Sequence, residues 1–191
     1  AKLLQGDGSW VTPSASGLTF ISTTDISAAA TYVFTGFNSS SYEHYMFVLQ
    51  NLIPATDDVH LYLRTSTDGG SSYDDGGSDY KWGGQDGEHS ENFDAADTQF
   101  SITGDGATQS AVGSGAGETG ISGQVWIYGP HTTSNTHMAG NTVQISANAV
   151  TTRAIMGGVR LADSDVDAVQ FRFQSGNIES GTITVYGIAN A

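Results

Sequence analysis

A chain of 191 residues with 20 acidic and only 6 basic side chains carries a formal net charge of −14; such a surface repels phosphate backbones and anionic lipid, which disfavours a nucleic-acid reader or a membrane-surface binder. The length suits one large β domain or two small ones, with a core big enough to fold without covalent staples. The lack of cysteine excludes disulfides, zinc–thiolate sites and a thiol nucleophile.

Glycine is abundant (25 residues) and proline scarce (3), so tight turns between β-branched and aromatic strands are favoured over helices. The opening Ala1–Asp7 lacks the apolar stretch of a signal peptide, so cytoplasmic synthesis is expected. No apolar run reaches the ~18 residues of a membrane-spanning helix.

Residues 1–17 read as an extended N-terminal arm. Strands are expected at 18–22 and 31–35, then at 43–51, whose nearly continuous apolar run suits burial on both faces. The next strand, 59–67, alternates: Val59, Leu61, Leu63 and Thr65 point one way, His60, Tyr62 and Arg64 the other. The link 52–58 carries Pro54 and turn formers, so these two strands either pair as a hairpin or cross between sheets. In a pairing, His44 and His60 can face each other. Residues 68–97 turn rich in Gly, Asp and Ser; here a short strand at 80–82 is expected inside a long excursion. A strand at 98–103 is followed by a loop of small residues, 104–120. In the second half, strands are expected at 123–128, at 136–138 with 142–147 as one interrupted strand, at 153–161 with a bulge at Gly157–Gly158, at 166–173, and at 182–188 after a turn at Ser180–Gly181. Eight to ten strands with regular turns predict an all-β fold: a two-sheet antiparallel sandwich, jelly-roll-like, with long loops. The domain reading is one β-sandwich over 18–191 with a Gly/Asp-rich insertion near 68–97.

The sharpest local motif is Ser66-Thr67-Asp68-Gly69-Gly70-Ser71-Ser72-Tyr73. It resembles the Asp-box, a Ser-x-Asp-x-Gly-x-Ser/Thr-aromatic pattern of β-hairpin turns in sialidases and other proteins. The local physics is a structural turn: Asp68 accepts turn amides, Gly70 supplies positive φ, Ser66 and Ser72 surround the carboxylate, and Tyr73 folds back. One copy of the motif and four arginines argue against a sialidase. Asp74, Asp75 and Asp79, with Asp86, Glu88 and Glu91, form an acidic cluster of the kind that holds calcium, but the spacing is not that of an EF-hand, and a solvated acidic loop is the preferred reading. Asp163, Asp165 and Asp167 alternate and call for a basic partner, a calcium ion or solvent. The five histidines, His44, His60, His89, His131 and His137, form no H-E-x-x-H motif. No nucleophile elbow or phosphate-binding loop is present. No cofactor and no enzymatic activity are expected. Among aromatics, Tyr80 and Trp82 are the candidates for ligand or partner contact, as sugar-stacking rings or as anchors of a subunit interface; Trp126 belongs either to the core or to the outer face.

Three segments, 45–57 (YMFVLQNLIPATD), 61–73 (LYLRTSTDGGSSY) and 180–188 (SGTITVYGI), together resemble small virion proteins of tailed bacteriophages. That resemblance implies a jelly-roll-like structural protein of the virion, assembled in the host cytoplasm, most simply a capsid decoration (cement) protein that stabilises the shell by subunit contacts. The implied partners are further copies of itself, as a trimer, and the major capsid protein or other virion proteins. The alternatives are a tail or fibre component and a carbohydrate (receptor)-binding β-sandwich module.

Overall fold

Alternation of apolar and polar side chains gives each strand one face for a core and one for its surroundings, and the chain folds accordingly into stacked sheets. The structure, a computed structural model, describes residues 3–4, 6–11, 17–86, 90–104 and 111–189. The remaining parts of the expected arm and of the 104–120 loop, together with Glu88 and His89, lie outside the described residues.

The strands are β1 (Leu3–Leu4), β2 (Trp10–Val11), β3 (Leu18–Ala29), β4 (Tyr32–Phe34), β5 (Tyr42–Pro54), β6 (Leu61–Ser66) and β7 (Tyr80–Asp86), then β8 (Ser90–Asp97), β9 (Phe100–Ser101), β10 (Ile121–Tyr128), β11 (Thr136–Ile145), β12 (Thr151–Arg160), β13 (Ala168–Phe173) and β14 (Ile178–Ala189). An eight-stranded sheet runs β3-β14-β5-β10-β11-β12-β7-β8, a four-stranded sheet β4-β13-β6-β9, and β1 pairs with β2. All pairings are antiparallel. If β7–β8 and β11–β12 are set aside as insertions, the other eight main strands alternate between sheets in the order first-eighth-third-sixth and second-seventh-fourth-fifth. That is the double Greek key of a jelly roll. The two insertions then widen one sheet only.

Between the sheets, Tyr45, Phe47 and Leu49 of β5, Val125 and Ile127 of β10, and Ile183 and Val185 of β14 meet Leu61 and Leu63 of β6 and Val169, Phe171 and Phe173 of β13. Phe47 sits 5.2 Å from Phe171 and 5.4 Å from Phe34 between ring centroids. Each fully buried ring contributes about 1.5–3 kcal/mol. The expected alternation in 59–67 is observed: Tyr62 aside, which is also covered, the predicted inward set is the buried one; in β13, Val169, Phe171 and Phe173 are buried while Gln170 and Arg172 are half-buried. At the β9 end of the small sheet, Phe100 and the following Ile102 close over the inserted strands, resting on Gly158 and Gly140 respectively.

Of the two readings of the link 52–58, the crossing holds, since β5 and β6 belong to different sheets. Several other local expectations are corrected. His44 and His60 do not face each other. The 68–97 excursion is largely a hairpin, β7–β8, added to the large sheet. The β11 strand is continuous. Gly157–Gly158 is not a bulge, because the β11–β12 and β12–β7 registers run through it unbroken; Gly158 is instead a point of close approach, where a Cβ would lie 2.5 Å from the Phe100 ring. Ser180–Gly181 is no turn but an irregularity inside β14, where its register against β5 shifts.

Candidate functional site

The Asp-box segment forms the turn its chemistry dictates. The Ser66 hydroxyl donates to Asp68 Oδ1 (2.8 Å) and accepts from the Gly70 N–H (2.9 Å). Ser72 donates its N–H to Asp68 Oδ1 (2.9 Å) and its hydroxyl to Oδ2 (2.6 Å). These donors, the Ser72 hydroxyl foremost, hold the Asp68 carboxyl down to about 2. Gly70 has φ +85°, and the Tyr73 hydroxyl folds back to within 3.0 Å of where a Gly70 Cβ would stand. The motif does not join two strands of one hairpin: it reverses the chain after β6, with Asp74 N–H donating to Thr65 O (2.8 Å), before the chain crosses to β7 in the other sheet.

The acids considered for calcium are engaged elsewhere. Asp74 Oδ2 accepts from Arg160 Nε (2.6 Å) and the Thr65 hydroxyl (2.7 Å); Asp75 pairs with Arg64 at 3.5 Å; Asp79 accepts from the Gly76 N–H (2.7 Å). Among the described residues no three His, Asp or Glu side chains gather as a metal site. The aromatic platform expected at Tyr80 and Trp82 does not form, because both rings are core: Tyr80 is 0 % and Trp82 4 % exposed. Tyr80 accepts from Thr65 N–H (2.8 Å), and burial pushes its hydroxyl up to about 12. Trp82 donates its indole N–H to Asp97 Oδ2 (2.7 Å). Asp165 and Asp167 line a cavity of about 540 Å³ with Phe37, Asn38 and His131, where burial pushes the imidazole's pKa down.

The feature that stands out is the outer face of the large sheet. Register places two parallel rows of side chains across four neighbouring strands. One row is Phe20–Tyr186–Met46–Trp126 and the next is Leu18–Ile188–His44–Tyr128. Strands ~4.8 Å apart make this belt roughly 15 Å wide. Phe20 packs edge-on against Tyr186 (6.1 Å), Trp126 lies parallel to Tyr128 (6.1 Å, 5°), and His44 meets Tyr128 edge-on (5.6 Å). Phe20 is 59 % and Leu18 51 % exposed. None of the eight residues carries a formal charge at neutral pH with histidine neutral, on a chain whose net charge is −14. Beside the belt runs a groove of about 480 Å³ lined by Val48, Gln124, Asn141, Val143 and Arg153.

Of the belt, Trp126 and His44 are named in the sequence reading, Trp126 as a candidate contact whose face is now fixed as the outer one. For Tyr128, Tyr186 and Ile188 the available signal was the period-two alternation in 123–128 and 182–188, which sets them with Trp126 opposite the buried Val125, Ile127, Ile183 and Val185.

Strand order and face thus define the class: a jelly-roll β-sandwich with one widened sheet and an uncharged aromatic belt on that sheet's outer side. Comparison of the chain with protein-family models, with curated proteins and with solved structures returns no match.

Proposed function

We propose that this chain is a non-catalytic assembly protein that docks onto a larger particle through the outer face of its large sheet. The resemblance of 45–57, 61–73 and 180–188 to tailed-phage virion proteins makes the particle a virion and the role capsid decoration, stabilising the shell by contact with the major capsid protein. The observation that carries the reading is the belt. Apolar surface gathered on one face marks interaction sites; here Leu18, Phe20 and Tyr128 are exposed and Trp126, Tyr186 and Ile188 half-exposed over a buried Met46, and Tyr, Trp and Phe are enriched at interface centres while Asp and Glu are depleted there. A strongly acidic molecule meets a neighbour at lowest desolvation cost over the part of its surface that holds no carboxylate.

Virions purified on a density gradient from the chain's own host are expected to carry it at fixed stoichiometry, with cryo-EM density on the shell. A chain with Phe20→Ser and Trp126→Ala is expected to fold normally and stay at the top of the gradient. Wild-type chain found only in the soluble fraction would overturn the reading.

A second reading, a glycan-binding module, is favoured by one observation: the parallel Trp126 and Tyr128 rings stand next to a groove with Gln124, Asn141 and Arg153 as hydrogen-bonding side chains. A glycan array with wild type and Trp126→Ala separates the two. Specific hits lost on substitution support the glycan module, and a blank array removes it.

A further inference from the structure

At one end of the sandwich three connections converge on the cavity of about 540 Å³: 35–41 between β4 and β5, 129–135 between β10 and β11, and 161–167 between β12 and β13. Backbone hydrogen bonds fasten them to one another and to the sheets. Val166 N–H donates to Pro130 O (2.7 Å), Asp167 N–H to Ser66 O (2.9 Å), and the N–H groups of Ser41 and Tyr42 to Asn38 O (3.1 and 3.0 Å). The walls are thus fixed before any ligand arrives. Of the described residues that line the cavity, Asp165 and Asp167 are acidic and none is lysine or arginine. Two of the lining side chains hold a buried polar atom with no hydrogen-bond partner, Asp167 Oδ1 and His131 Nε2. Burial lowers the affinity of His131 for protons, and its ring bonds the backbone of Tyr42. In the neutral ring the proton sits on the nitrogen that donates to that carbonyl, which leaves Nε2 as an acceptor. The wall therefore offers carboxylate oxygens and an imidazole nitrogen, all asking for donors.

We propose that this cavity binds the guanidinium group of an arginine side chain presented by a partner protein. Charge selects the class of ligand. Hydroxyl groups also donate, but only a cation in addition offsets the like charges of Asp165 and Asp167, and hydrogen bonds between ionised partners are the strong ones. A molecule of net charge −14 also draws a cation in from a distance. Shape selects guanidinium over ammonium. Its planar fork of five N–H donors spans acceptors that stand on different loops, whereas an ammonium acts as a point charge. Phe37, edge-on to the His131 ring (6.2 Å, 86°), supplies an aromatic wall, and guanidinium planes rest well on such rings. The proposal goes beyond the assembly reading and does not depend on it, since none of the cavity's lining residues belongs to the belt.

Titration of the whole chain, labelled with nitrogen-15, against N-acetyl-argininamide tests it by NMR. The backbone amides of Phe37, His131 and Asp167 are expected to shift together, with a dissociation constant of about 1 mM or tighter. Asp165→Asn and Asp167→Asn are each expected to weaken binding roughly tenfold. Asp165 is exposed, so its variant is expected to keep the circular dichroism of wild type. Glu179→Gln removes the same charge from an exposed position on β14 and is expected to change the affinity less than about twofold. N-acetyl-lysinamide and the free polyamine spermidine are expected to bind about tenfold more weakly than the guanidinium probe. Cavity amides that do not shift, an equal loss in Glu179→Gln and Asp165→Asn, or ammonium probes that bind as tightly as N-acetyl-argininamide each overturns the proposal. None of these measurements reads docking through the belt, so their failure leaves the gradient result with virions untouched.

Discussion

Asp68 shows how one side chain can organise a chain reversal without any hydrophobic contribution. Its two oxygens collect two hydroxyls and a backbone N–H, and hydrogen bonds to the charged form lower a carboxyl's affinity for protons. Its folded value of about 2 lies below the ordinary 3.8. The turn's contribution is therefore complete above about pH 4 and is lost as pH falls through about 2. Urea unfolding from pH 4.5 down to pH 2 is expected to show a stability slope in wild type that is shallower in Asp68→Asn; equal slopes would mean that other carboxylates carry the acid response. The neighbouring ion pair works by a different logic. Arg160 is 4 % exposed, and its guanidinium also donates to the Ser164 carbonyl and hydroxyl, so Asp74 compensates a charge that water no longer reaches. Such an arrangement ties the start of the inserted hairpin to the end of β12.

At the scale of elements, what was legible in the sequence depended on contrast between faces. Residues 59–67 and 166–173 alternate because their outer faces are polar, and their register and burial follow directly. The β7–β8 hairpin hid behind its composition. Gly83 and Gly84 read as loop, but they let β7 lie flat between β12 and β8: a Cβ on Gly84 would stand 2.1 Å from the Ile155 carbonyl oxygen. The partner strand SENFDAAD has poor β-propensity and is held by pairing. The belt was legible only in fragments, since its rows draw on residues near 18, 45, 127 and 187, and only pairing brings them side by side. Gly158 offers the sharpest test of this layer. A methyl there would press on the Phe100 ring at 2.5 Å and the Lys81 carbonyl at 2.9 Å, so Gly158→Ala is expected to cost about 1–3 kcal/mol, read as a lower urea midpoint. An unchanged midpoint would show that the Phe100 segment moves freely aside.

For the molecule as a whole, a net charge of −14 sets the balance between cohesion and self-repulsion. Two ion pairs are seen among the described residues, Arg64–Asp75 and Arg160–Asp74, and with 20 acidic against 6 basic side chains the carboxylates repel one another across the surface. Salt shortens the range of that repulsion from about 30 Å at 0.01 M to about 8 Å at 0.15 M. The melting temperature is therefore expected to rise with sodium chloride over this interval. A fall would mean that local attractions outweigh the collective repulsion. The same balance explains why contact surfaces are so restricted: the belt, which holds no carboxylate, is where another body approaches without adding to the repulsion.

The position of β14 has a kinetic corollary. It lies between β3 and β5, so two stretches made early in synthesis cannot join until residues from the far end of the described chain slide in between them. Maturation must then wait until β14 has been translated, and closure of so distant a contact is slow, on the order of milliseconds to seconds. Until that moment both flanks of the vacant slot stand open, and a chaperone or a sister chain has its longest opportunity to intervene there.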